Sequence, residues 1–352
     1  MIGIALIGCG RIAKRHAELL GMGQIAGARL AAVCDTDASR ASAFGNRYAV
    51  PFFSSIDSLL AAPGIDAVAI LTPSGMHAGH AIRVARAKRH VIVEKPMALT
   101  LDSAEAMIEA ADAAGVQLFV IKQNRFNVPV VKAREALEAG RFGKLVLGTV
   151  RVRWCRNQAY YSHDSWRGTW AQDGGVLANQ ASHHVDMLGW FMGEVESVHA
   201  RALTALVDIE AEDTAVATLR FRNGALGIIE ATGAARPRDM EGSMSLLGSG
   251  GAVEIAGFAV NKIRTWQFVE PTESDAEVME KYSVNPPNVY GFGHQAYYEH
   301  VVECLTRDAK PLVDGHHGRQ SLELIMALYE SIASGREVKL PLRVKHCKLG
   351  VA

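Results

Sequence analysis

A chain of 352 residues is long enough for two domains of about 150 residues, each burying its own core. Lysine and arginine total 37, as do aspartate and glutamate, so the formal net charge is zero and nucleic acid is not expected as a partner. Hydrophobic residues make up 49% of the chain, yet no run reaches the ~20 residues of a membrane-spanning helix, so a soluble protein without a membrane partner is expected.

From residue 1 to about 121, short apolar runs alternate with helical patterns. Strands are predicted at Ile2–Ile7, Arg29–Cys34, Ala67–Leu71, Val91–Val93 and Gln117–Val120. Between them, apolar residues fall at helical spacing, as with Ala81, Val84 and Ala85, and with Ala104, Met107, Ile108 and Ala111. Parallel strands need such crossovers, so a doubly wound parallel sheet covered by helices follows for residues 1–122, the α/β class. From about residue 145 the pattern becomes longer alternating segments, Val146–Trp154, Val195–Leu203, Thr214–Phe221, Ala225–Thr232 and Ser243–Leu247, separated by glycine-containing turns. Residues 123–352 therefore read as an α+β domain with an open, mainly antiparallel sheet. Two late helical patterns, about His294–Leu305 and Arg319–Ser334, precede a short strand at Val338–Leu340. The apolar start lacks a basic leader and reads as a strand. The five cysteines, Cys9, Cys34, Cys155, Cys304 and Cys347, are odd in number and contain no C-x-x-C pair, which fits a reducing, cytoplasmic compartment.

Gly8-Cys9-Gly10-Arg11-Ile12-Ala13 is a G-x-G-x-x-A motif lying between a predicted strand and a predicted helix, the context in which this spacing holds a dinucleotide. The first glycine permits the tight turn, the second lets backbone approach the pyrophosphate, and Ala13 lets helix and strand pack closely. Gly8, Gly10, Arg11 and Ile12 are the candidate phosphate contacts. The second strand ends at Asp35, 25 residues after Gly10, where an acceptor for the ribose diol is expected. Asp35 and Asp37 would repel a 2′-phosphate, and the nearest basic residue is Arg40, so NAD is the expected cofactor and NADP is disfavoured.

Three further segments follow in order: Thr72-Pro73-Ser74-Gly75-Met76-His77, Glu94-Lys95-Pro96, and Gly174–Asp186, which reads GGVLANQASHHVD. With the glycine motif they resemble the glucose–fructose oxidoreductase and inositol dehydrogenase (Gfo/Idh/MocA) family over essentially the whole chain. The resemblance implies an N-terminal Rossmann domain and a C-terminal open sheet used for substrate and subunit contacts. It also implies hydride transfer between a nicotinamide and a sugar-like carbinol, and a dimer or tetramer, with a homotetramer expected. Within that family, four strings resemble the UDP-2-acetamido-2-deoxyglucuronate 3-dehydrogenases of bacterial surface-polysaccharide (lipopolysaccharide) pathways: Gln123–Asn127, Ser165–Trp170, Asn179–His184 and Pro286–Gly291. Those enzymes oxidise the sugar C3 hydroxyl of a UDP-linked uronic acid. Some relatives keep the reduced cofactor bound and reoxidise it with a 2-oxo acid, which makes 2-oxoglutarate a candidate partner.

In the family pattern Lys95 and a D-x-G-x-H segment act on the substrate. Aligned on the glycines and Asp186, the Asp falls on Asn179, the Gly on Ala181 and the His on His183. A carboxylate at 179 would stabilise an imidazolium, whereas an amide orients the ring by hydrogen bonding only. Removing a hydroxyl proton as hydride leaves needs a base effective near neutrality, which imidazole is without adjustment and lysine is not. His183 is therefore the expected base and Lys95 the cation that stabilises the developing alkoxide, with the reverse assignment open. Adjacent His183 and His184 point in different directions on a helix, so no metal is expected. His316-His317 reads as the turn into the last helix.

Thr72, Pro73, Ser74, His77 and Glu94 sit at the carboxyl ends of parallel strands, where a doubly wound sheet places its ligands, and are candidate cofactor contacts; His77 could instead cap a helix. Arg167, beside Trp166, suits a carboxylate or phosphate of cofactor or substrate, or packs a loop. Asn124 is a candidate for the nicotinamide region, and Arg125, Tyr160 and Tyr290 for the substrate. Three functions remain open: the nucleotide-sugar dehydrogenase, an NAD-dependent dehydrogenase of a free sugar or inositol, and a non-catalytic nicotinamide-binding sensor.

Overall fold

The structure, a computed structural model, describes residues 1–282 and 292–351. They form two compact units, Met1–Lys122 with His294–Gln320, and Gln123–Gly293 with Ser321–Ala352.

The first unit is built on six strands, β1 (Ile2–Ile7), β2 (Ala28–Cys34), β3 (Phe52–Phe53), β4 (Ala67–Ile70), β5 (His90–Val93) and β6 (Leu118–Val120). Their order is β3-β2-β1-β4-β5-β6, with every pairing parallel. That order reverses between β1 and β4, so the crevice at the carboxyl ends of these two strands receives the ligand in such sheets. Ile4, Ala5 and Leu6 of β1 and all of β4 are buried, as expected for strands covered on both faces. The two-residue β3 is too short to show a period and is absent from the predicted strands.

The segment His294–Gln320, read in sequence with the second domain, packs in the first unit. Its helix Gly293–Arg307 buries Tyr297 and Tyr298 completely, and the chain beyond it pairs with the sheet edge, Val120 N–H donating to the Val313 carbonyl at 3.1 Å. A return over 170 residues leaves no local signal, because hydrophobic periodicity reports that a face is buried and not against what.

Among the described residues the second unit holds eight strands: β7 (Leu145–Arg153), β8 (Val195–Leu203), β9 (Thr214–Phe221), β10 (Leu226–Thr232), β11 (Glu241–Gly248), β12 (Gly251–Ala256), β13 (Lys262–Phe268) and β14 (Val338–Lys339). The order is β13-β12-β11-β7-β10-β9-β8-β14, antiparallel throughout except for the β7–β10 pair. The predicted strands at 146–154, 195–203, 214–221, 225–232 and 243–247 are all present; β12 and β13 are additional. Along β9 buried and exposed residues alternate, so the sheet has one covered and one open face. The covered face carries Gly148, where a side chain would collide with Leu188 and Met192 of the helix Ser182–Met192. Val216, Leu226, Ile228 and Leu247 stand exposed on the open face.

Candidate active site

In the first unit β1 runs into Gly8, whose φ of +99° only glycine adopts without strain and where a Cβ would lie 2.9 Å from the Leu71 carbonyl. At Gly10 the Cβ direction is open, leaving room for a ligand to approach the backbone. The helix Ala13–Gly21 that follows has no side-chain cap at its N-terminus, which suits an anionic ligand there. Asp35 Oδ2 accepts the Cys9 N–H at 2.7 Å, which ties the end of β2 to the glycine turn. Asp37 caps the helix Ala38–Tyr48 and pairs with Arg40 at 3.3 Å, so the nearest cation already faces a carboxylate. These residues fit a dinucleotide with a free ribose diol.

The Glu94-Lys95-Pro96 turn follows β5, with the Lys95–Pro96 bond cis and Lys95 half-buried. His77 neither caps its helix nor lies at the surface: it is 1% exposed, with Nδ1 2.8 Å from the Pro96 carbonyl and Nε2 2.8 Å from that of Thr72. Ser74 is buried at the same turn.

In the second unit a π-helical turn, Val176–Gln180, leads into the helix Ser182–Met192. His183 is 7% exposed, and its Nε2 lies 3.1 Å from the Gln123 amide nitrogen, which donates to the ring and marks Nε2 as an acceptor. His184 is fully buried against Trp154, and burial lowers its pKa to about 4, so it stays neutral in the core. Asp186 is held by a buried bidentate pair with Arg125, 2.8 Å in both contacts, and by the Ser321 hydroxyl. The Arg125 guanidinium also covers the Trp190 ring at 4.6 Å. It ties the helix that carries His183 to the Gln123–Phe126 turn through Nε and Nη2.

Asn179 donates its amide to Asp173, a carboxylate only 2% exposed, and accepts from Gln180 at 3.1 Å. A carboxylate thus stands in contact with the position that the family pattern gives to Asp, six residues earlier in the chain. The turn is clamped from below by Glu212, whose Oε1 accepts from the Leu177 N–H (2.8 Å) and the Tyr329 hydroxyl (3.0 Å). Gly175 admits this clamp, since a Cβ there would fall 2.2 Å from Glu212 oxygens.

Burial pushes the Glu212 carboxyl up to about 7 from an ordinary 4.5. The folded chain keeps a proton that the unfolded chain releases between these values, so stability declines as pH rises across that window and the full penalty, about 3 kcal/mol, holds above it. Glu212→Gln cannot ionise and is expected to raise Tm at pH 8 by roughly 5 °C while flattening the decline between pH 5 and 8. Equal slopes in variant and parent would show that this carboxyl does not titrate there.

Tyr160 Oη accepts from Arg167 Nη1 at 2.7 Å and from Gln180 at 3.0 Å. Arg167 in turn pairs with Asp164 at 2.9 Å and lies over the Trp166 ring at 4.5 Å. Arg156 reaches Gln180 Oε1 at 3.0 Å, so two guanidinium groups border the Asn179 turn. Asn124 is buried in the 3₁₀ turn Gln123–Phe126. Tyr290, with the string Pro286–Gly291, lies outside the described residues.

Residues 2–122 match the oxidoreductase family's NAD-binding Rossmann fold, and residues 134–340 match its C-terminal alpha/beta domain. The chain belongs to the Gfo/Idh/MocA oxidoreductase family. It is an NAD-dependent oxidoreductase. Two solved structures are similar to it at a TM-score of 0.91. One is the WlbA dehydrogenase of Bordetella pertussis, 44% identical, with 97% of this chain and 98% of that one covered. The other is WlbA of Chromobacterium violaceum, 41% identical, with 97% of each chain covered. Both are complexes with NADH and UDP-GlcNAcA. The chain is also similar to the myo-inositol 2-dehydrogenase of Thermotoga maritima, 31% identical over 96% of this chain and 98% of that protein.

For this Gfo/Idh/MocA chain, sequence reasoning missed the supporting residues Asp173, Glu212, Tyr329 and Arg156, none of which belongs to a motif. Gln123 lies in a quoted string, but its contact with His183 joins residues 60 apart and leaves no sequence signal. Among the described residues no helix is long and apolar enough to cross a membrane. One group there, His16, Glu94 and His294, brings three ligand-type atoms within 4.8 Å of one another.

Proposed function

We propose that the protein oxidises the C3 hydroxyl of UDP-2-acetamido-2-deoxyglucuronate to the 3-keto sugar, in the making of a bacterial surface-polysaccharide amino sugar. The observation that carries this reading is the likeness, at 44% and 41% identity over nearly whole chains, to two dehydrogenases crystallised with UDP-GlcNAcA. Asn179, a departure from the wider family pattern, supports it as well.

Bound NAD supplies the hydride acceptor. The glycine turn and the uncapped helix hold its pyrophosphate, and Asp35 takes the ribose diol. His183 accepts the C3 hydroxyl proton at Nε2, where the substrate hydroxyl replaces the Gln123 amide as donor, while the Lys95 ammonium stabilises the oxygen as charge develops on it. Asn179, held by Asp173, orients the groups beside His183. Thr72, Pro73, Ser74, Asn124 and Glu94 belong to the cofactor side of this reading; Tyr160, Arg167 and Trp166 belong to the side that receives the sugar nucleotide. The apolar open face of the second sheet supports a homotetramer.

A free-polyol dehydrogenase is the second reading, favoured by the 31% identity to an inositol dehydrogenase. Mass spectrometry of the UDP-uronate incubated with protein and NAD, with and without 2-oxoglutarate, separates the two. Loss of two hydrogens from the sugar nucleotide is expected, and dependence on 2-oxoglutarate would show that reduced cofactor is recycled in place. No conversion in either condition, with oxidation of an inositol, would replace the first reading by the second.

A further inference from the structure

Lysine is a charged point on a flexible four-carbon stem, so placing its ammonium requires that its backbone be held. His16 lies on the helix Ala13–Gly21, directly after the glycine turn, and is fully buried. Its Nε2 is 3.2 Å from Glu94 Oε1 and its Nδ1 is 2.6 Å from the Tyr298 hydroxyl. Burial alone would push the Glu94 carboxyl up, but the hydrogen bond from His16, with His294 Nε2 3.9 Å away, holds it well below the carboxylate range. An ionised carboxylate only accepts, so His16 carries its proton on Nε2 and donates to Glu94, and its Nδ1 accepts from Tyr298. The other Glu94 oxygen, Oε2, accepts the Lys95 backbone N–H at 3.0 Å. On the far side of the lysine, the buried, neutral His77 ring lies 2.8 Å from both the Pro96 and the Thr72 carbonyls, and in its Nδ1–H tautomer it donates to Pro96.

We propose that His16 and His77 are positioning residues for Lys95. His16 acts through the Glu94 carboxylate and His77 through the Pro96 carbonyl, and each ties the lysine to one of the two turns that receive the dinucleotide. The turn is gripped on both flanks, so the ammonium is aimed before substrate arrives, and misplacement by about 1 Å costs up to about 100-fold in rate. The same His16, Glu94 and His294 atoms are also spaced for a divalent cation; a cation would displace the Nε2 proton and replace the hydrogen bond to Glu94.

This inference rests on the reading of Lys95 as a group acting on substrate, so Lys95→Ala is assayed alongside, on the substrate that the parent chain turns over. His16→Leu and His77→Leu are expected to lower kcat at least about 10-fold while the NADH Kd, from fluorescence titration, changes less than about threefold. His16→Gln, whose amide can still donate to Glu94, is expected to recover most of the loss. Tyr298→Phe, which removes only the hydroxyl behind His16, is expected to lower kcat about threefold and serves if His16→Leu does not fold. Unchanged kcat in the folded histidine or Tyr298 variants, with Lys95→Ala inactive, overturns the inference; so does a loss accounted for by weaker NADH binding. One equivalent of metal in purified protein overturns it for His16. If Lys95→Ala turns over normally, the role of Lys95 itself is wrong and the inference falls with it.

Discussion

His183→Asn is expected to lower kcat by about 10²–10⁴-fold, the range over which a positioned general base contributes. Lys95→Ala is expected to cost about 10²–10³-fold, as for removal of one donor to a developing oxyanion. In both variants NADH binding should stay within about threefold, because the glycine turn and Asp35 are untouched. The two roles are told apart by pH. A base must be unprotonated to act, so if His183 is the base the fall in activity on the acid side disappears in His183→Asn and persists in Lys95→Ala. Loss of the acid limb only in the lysine variant would reverse the assignment, and turnover near that of the parent in both variants would show that the chemistry lies elsewhere.

Arg125→Met is expected to cost about 3–5 kcal/mol of stability, seen as a Tm lower by roughly 5–8 °C, because it strands a buried carboxylate. Asp186 and Arg125 are 1% and 4% exposed at their side chains, and water cannot take over the lost contacts. Replacing both, Arg125→Met with Asp186→Leu, should recover much of the loss, since neither charge then remains buried alone. The single variant should also lower kcat, as the helix bearing His183 loses its anchor. Additive losses in the double variant would mean that the pair is not coupled and that each residue is held by other neighbours.

Much of the fold was legible because burial writes itself into local pattern. The strands of the parallel sheet are nearly continuous apolar runs, whereas those of the second sheet alternate, since one of its faces is open. The glycine motif and Asp35 were legible as well, since tight turns and close backbone approach restrict residue type at fixed spacing. Three strands escaped. β3 has two residues, and β12 and β13 follow the Gly248–Gly251 turn, which reads as an end to the sheet when it is in fact a hairpin.

At the candidate site the sequence by itself determined which groups can do chemistry: a lysine after a strand, a histidine in a glycine-led segment, an amide where the family pattern has a carboxylate. Tertiary structure alone decided what stands behind them. Asp173 behind Asn179, Glu212 beneath the π-helical turn, Gln123 on His183 and the two histidines flanking Lys95 are all partners brought together by folding. The reason is physical: a motif records constraints along a few bonded residues, whereas a hydrogen bond between residues 60 or 78 apart depends on where two elements cross. Arg125 shows the difference most plainly: the sequence offers a cation, and folding adds its bidentate pair with Asp186, 61 residues away.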